Sequence, residues 1–85
     1  MPSRRVTITT DHGAHARPVA ELVRLAQGHT EPVLLRTTGG AEVDLSSVLA
    51  VMDLALASGD EVVLETRQDA DGVLDRMAAV LDPAS

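Results

Sequence analysis

The sequence has no cysteine and no aromatic residue, and all seven of its basic residues are arginine. Without cysteine there is no disulfide, no thiol nucleophile and no cysteine–zinc site. Without aromatic rings there is no stacking platform for single-stranded nucleic acid, and a core must be built from Val, Leu, Ile, Ala and Met. Lysine is missing, and the formal net charge is −6. An acidic chain with no basic stripe is unsuited to a phosphate backbone or an anionic membrane surface. No run approaches the roughly 18 apolar residues of a membrane span. The opening "MPSRRVTITT" carries two arginines but no apolar signal core. The expectation is a cytoplasmic protein with no nucleic-acid partner and no membrane insertion.

What is present suits one compact domain over residues 1–85, since 45% of the residues are hydrophobic. "RRVTITT" alternates Val6 and Ile8 with Thr7 and Thr9, the period of a strand with one buried face. From Ala16 to Gln27, Val19, Leu22, Val23 and Ala26 recur at helical spacing, and Gly28 can end the helix. Pro32 to Thr37 reads as a second strand, Gly39-Gly40 as a hairpin turn, and Ala41 to Leu45 as a third strand. Ser47 to Ala57 reads as a helix that Ser46 or Ser47 can cap. Glu61 to Thr66 is a fourth strand. Asp69 or Asp71 opens a last helix with the apolar stripe Val73, Leu74, Met77, Val80 and Leu81, which Pro83 stops. The order β-α-β-β-α-β-α predicts an α+β fold with helices packed on one face of a sheet.

The stretch "DHGAHARP", Asp11 to Pro18, lies where the first helix is about to start. In the bland reading Gly13 is a loop glycine, Pro18 a first-turn residue and His15 an inert surface group. In the functional reading the helix start matters. Its unpaired N–H groups and dipole favour an anion, phosphate above all. With His15 as cap, the N–H groups of Ala16 and Arg17 lie beside its ring, and the Arg17 guanidinium can grip phosphate oxygens. Pro18 stiffens the turn. A neutral imidazole is a nucleophile, so this is a histidine that can accept a phosphoryl group and hold it. A metal site from Asp11, His12 and His15 is the competing chemistry, but that spacing spans a loop and no further ligand is placed. Neither a phosphate loop nor a nucleophile elbow occurs.

"GAHARPVAELVRLA" resembles the active-site segment of HPr, the histidine-containing phosphocarrier family of the sugar phosphotransferase system. "VDLSSVLAVMDLAL" followed by "SGDEV" is similar to the family's second signature, around its regulatory serine. The two lie at the family's spacing, and the similarity covers nearly the whole chain. It implies an open-faced β-sandwich: a four-stranded antiparallel sheet covered on one face by three helices. It further implies that His15 is phosphorylated on Nδ1 by enzyme I, at the expense of phosphoenolpyruvate, and that the group passes to a sugar-specific enzyme IIA. Arg17 would orient the phosphate. The implied protein is a monomeric carrier with a transient phosphohistidine, not a stand-alone enzyme, and it needs no cofactor and no metal.

The helix from Ser47 is apolar on two faces, with Val48, Leu49 and Met52 on one, and Val51, Leu54 and Ala55 able to fill the core on the other. The resemblance makes Val48, Leu49 and Met52 a partner-contact patch, with Ala14 and Arg24 as further contacts. Ser47 aligns with the serine that a dedicated kinase phosphorylates in many relatives, although helix capping is its simpler role. The chain departs from the family pattern at several places. Ala14 replaces a larger aliphatic residue, His12 stands where relatives often have a small polar residue, and of the basic rim Arg24 is kept while position 27 is Gln27. A second reading is an interaction module, not phosphorylated or regulatory, that binds transcriptional or metabolic regulators through this helix.

Overall fold

The computed structural model describes residues 2–9, 16–68 and 72–83, the side chains at 16–18 excepted. The elements are β1 (Ser3–Thr7), α1 (Ala16–Gln27), β2 (Val33–Thr37), β3 (Glu42–Asp44), α2 (Val48–Asp53), β4 (Glu61–Thr66) and α3 (Val73–Leu81). The strands form one antiparallel sheet in the order β1-β4-β2-β3. Three helices accompany it, and the fold is an α+β open-faced sandwich.

The period-two alternation decides which face the helices cover. Val6 pairs with Val62, and Leu35 sits between Leu64 and Val43. Residues directly opposite one another share a face, so these side chains line the helix side, and all but the half-buried Val43 are fully buried. Against them pack Val19, Leu22, Val23 and Ala26 of α1, Val51 of α2, and Val73, Leu74, Met77, Ala78 and Leu81 of α3. Each fully buried Leu or Val contributes about 2 kcal/mol of transfer free energy, which is how a core without aromatic rings suffices. Arg4, opposite Leu64, also faces the helices, and its guanidinium pairs with Asp75 of α3. The other face of the sheet is charged: Arg5 meets Glu61 at 3.3 Å, and Arg36 lies between Glu65 and Glu42.

Most boundaries agree with the sequence. α1 spans the expected residues, and Gly28 closes it by donating to the Arg24 carbonyl at 3.1 Å. The alternation of β1 continues past its end, because Ile8 exchanges hydrogen bonds with Asp60 and Gly59 and is fully buried. The β2–β3 hairpin turns on Gly39-Gly40. Thr37 accepts from the Gly40 N–H, and Gly40 has a φ of 92°, in the left-handed region that glycine adopts without a Cβ clash.

Two expectations are corrected. The helix from Ser47 does not reach Ala57; it ends at Asp53. Leu54 and Ala55 donate to the carbonyls of Val51 and Met52, the tighter i→i−3 pattern of a closing turn. Ala55 then takes a φ of 51°. This reversal drops Leu56 into the core, so Leu56, not Ala55, fills that position; Ala55 is exposed. The residue before α3 is Gly72, with left-handed backbone and no side-chain cap. Asp69 and Asp71 lie outside the described residues.

Candidate functional site

α1 begins at Ala16. His15 is therefore the residue immediately before the helix in the chain, and Ala16 and Arg17 supply the first backbone groups of its first turn. His12, Ala14 and His15 themselves, and the Arg17 side chain, lie outside the described residues. So does the Asp11–His12–His15 metal reading. Among the described residues no group of three or more His, Asp or Glu could hold a metal ion, and no helix is long and apolar enough to cross a membrane.

The start of α2 is built with care. Leu45 is fully buried and donates to the Val33 carbonyl at 2.9 Å, which fixes the chain to β2. The Asp44 carboxylate accepts from the Ser46 N–H at 2.9 Å. Ser47 is then the N-cap, with extended backbone and its Oγ accepting from the Ala50 N–H at 3.3 Å. Its hydroxyl thus fills the capping role read from the sequence, whereas Ser46 offers its carbonyl to the Gln27 side-chain amide at 3.4 Å.

With Val51 turned inward and 1% exposed, the opposite face of α2 must point outward. Val48 is 42% exposed, Leu49 81% and Met52 48%, and they are the exposed large hydrophobic residues of the described chain. The expected patch is therefore solvent-accessible as a group. α1 packs beside α2, and Gln27 bridges the two. Arg24 lies one turn before Gln27 and is exposed.

Sequence reasoning missed what Arg24 does at rest. Its Nη2 and Nε donate to Glu21 Oε2 at 2.7 and 3.3 Å. This hydrogen bond, with the charge of Glu21, raises the Arg24 pKa above the ordinary arginine value. The i,i+3 spacing of Glu21 and Arg24 was the available signal. His29 was also missed as an anchor: its Nε2–H donates to the Gln68 carbonyl at 2.6 Å, tying the end of α1 to the segment after β4.

A model of the PTS HPr component phosphorylation site matches residues 2–82. The chain is 35% identical over 82 residues to phosphocarrier protein HPr of Streptomyces coelicolor, covering 95% of this chain and 88% of that one. It is 42% identical over 60 residues to phosphocarrier protein NPr of Escherichia coli K12, covering 71% of this chain and 67% of the relative. The crystal structure of an HPr from Bacillus anthracis superposes with a TM-score of 0.85 at 27% identity, covering 95% of this chain and 96% of that one. With the sheet order, the three helices and the exposed second helix already in place, these matches make the chain a member of the HPr family, the phosphocarriers of the phosphotransferase system.

Proposed function

We propose that the chain, as one HPr-like domain, carries a phosphoryl group on His15 from enzyme I to enzyme IIA domains in sugar uptake, in the cytoplasm. The observation that supports this reading is that α1 starts at Ala16 in a chain of this family, which leaves His15 the residue next before the helix in sequence. Neutral His15 attacks phosphorus through the lone pair of Nδ1. The N–P bond forms as the bond to the donor breaks, and the reverse exchange delivers the group to the acceptor. The N–H groups of Ala16 and Arg17, the helix dipole and the Arg17 guanidinium offset the charge of the phosphoryl oxygens. These are modest stabilisers, as a carrier that must give up its cargo requires.

The exposed face of α2 supports a docking role for Val48, Leu49 and Met52, with Ala14 and Arg24 as the further contacts. Methionine suits a surface that meets several partners in turn. Ser47 is a candidate for regulatory phosphorylation, which would keep acceptor oxygens at the helix start and place negative charge at the edge of the patch.

The test is intact-mass spectrometry after mixing the chain with phosphoenolpyruvate and enzyme I of its own source. One acid-labile phosphoryl adduct, absent from a folded His15→Ala variant, is the expected result. No adduct, with an enzyme I active on another carrier, would leave the second helix as a binding surface for regulators and end the carrier reading.

A further inference from the structure

The chain has no cysteine, tryptophan or tyrosine, so the side-chain atoms that a peroxide oxidises readily are the sulfurs of its three methionines. Met1 lies outside the described residues. Met77 belongs to the core side of α3 and is 0% exposed, whereas Met52 on α2 is 48% exposed. Met52 follows Val48 by one i,i+4 step and Leu49 by one i,i+3 step, so it shares a helix face with both. These three are the large hydrophobic residues that the described chain leaves in solvent. The oxidisable sulfur that solvent can reach and the apolar patch are therefore one place.

Resting on the reading of this face as the docking surface, we infer that Met52 is a site of reversible oxidation, at which a peroxide converts the thioether to a sulfoxide and weakens docking. A lone pair of Sδ attacks the terminal peroxide oxygen. The S–O bond forms and the O–O bond breaks. The proton on the transferred oxygen passes to the departing one, which leaves as water or an alcohol. Sulfur loses two electrons and the peroxide gains them. In the return step an external dithiol is oxidised to a disulfide and the sulfoxide oxygen leaves as water; the chain has no thiol of its own to do this. The modification turns a flexible apolar side chain into a polar one. At a half-exposed position the new oxygen is met by water, so the unbound chain keeps its fold. In an apolar contact that excludes water the same oxygen loses its donors, and that desolvation opposes docking. Met77 is shielded, because a peroxide reaches its sulfur only when the core opens.

The experiment is to treat the chain with hydrogen peroxide, locate the added oxygen by peptide mass mapping, and titrate each form calorimetrically with enzyme I of its own source. Met52 should be oxidised well before Met77. The Met52 sulfoxide should bind about tenfold more weakly or worse, with an unchanged circular dichroism spectrum, and methionine sulfoxide reductase with a dithiol should restore binding. Met52→Gln, which carries a neutral oxygen at a similar distance from the helix, should be weakened in the same direction. Met52→Leu, whatever its own affinity, should bind equally before and after peroxide. Oxidation of Met77 as fast as Met52 overturns the inference. So does a loss of binding after peroxide that Met52→Leu shares. Met52→Glu tests the docking face alone. Weak binding by Met52→Glu with normal binding by the sulfoxide overturns the oxidation site and leaves the docking face standing. Normal binding by both removes the docking face and the inference with it.

Discussion

Thr9 and Asp82 tie the end of the first strand to the end of the last helix. The Thr9 hydroxyl donates to Asp82 Oδ1 at 2.6 Å, and the Thr9 N–H donates to the Leu81 carbonyl at 2.9 Å. The pair lies at the entrance to the segment that leads to His15. Thr9→Val keeps the backbone bond and removes the hydroxyl. It should cost about 1 kcal/mol, the net worth of one such hydrogen bond. Denaturant midpoints at constant m-value measure it. A loss below about 0.3 kcal/mol would mean that water replaces the hydroxyl without penalty.

Ala55 sits at a φ of 51°, where its Cβ crowds the backbone. Such a conformation costs an alanine of order 1–2 kcal/mol, and glycine adopts it without that crowding. Ala55→Gly should stabilise the protein by about 0.5–1 kcal/mol after the extra entropy of glycine in the unfolded chain is counted. A lower melting temperature in this variant would contradict the left-handed turn that ends α2.

Thr66 is 1% exposed, and its Oγ1 has no hydrogen-bond partner among the described residues. A buried hydroxyl without a partner costs roughly 1–3 kcal/mol of desolvation. Thr66→Val keeps the branched shape of a central-strand residue and removes the oxygen. It should raise stability by about 1 kcal/mol, read from thermal unfolding. A destabilised Thr66→Val would show that the hydroxyl does find a partner in solution.

Ser47→Ala removes the cap of α2 and should cost about 1 kcal/mol, whereas Ser47→Asp, another good cap, should keep most of it. Comparing the two separates capping from charge. If both variants lose transfer activity while only Ser47→Ala loses stability, the hydroxyl matters to the partner and not merely to the helix. Phosphoryl transfer rates and unfolding curves on the same preparations decide it.

Met52→Glu places a charge on a side chain that is already half exposed. Stability should change by no more than about 0.5 kcal/mol, as for most surface substitutions. Transfer from enzyme I should fall at least tenfold through KM if the patch enters an apolar socket. Unchanged transfer kinetics would remove Met52 from the docking surface.

The fold was legible wherever a local pattern carries it. The alternation of Val6 and Ile8, the stripe of Val19, Leu22, Val23 and Ala26, and the Gly39-Gly40 turn each depend on neighbours within a few residues, and each stands as read. The exposed set on α2 was legible in outline, because a short helix cannot bury two apolar faces. The end of α2 was not. Nothing between Val48 and Ala57 breaks a helix by composition, and the stop at Asp53 comes from Leu56 being drawn into the core. The pairing of Glu21 with Arg24 was within reach of spacing rules and was overlooked.

By itself the sequence determined the order of elements, the faces that the strands, α1 and α3 bury, and a histidine and an arginine at a helix start within a family signature. These follow from periodicity and backbone preference, which act along the chain. The tertiary structure decided which face of α2 meets solvent, where that helix stops, that Gln27 reaches Ser46, and that Thr9 reaches Asp82. Those relationships join residues far apart in sequence. Burial of apolar area, which drives them, has no direction along the chain and is settled only when all the elements close on one core.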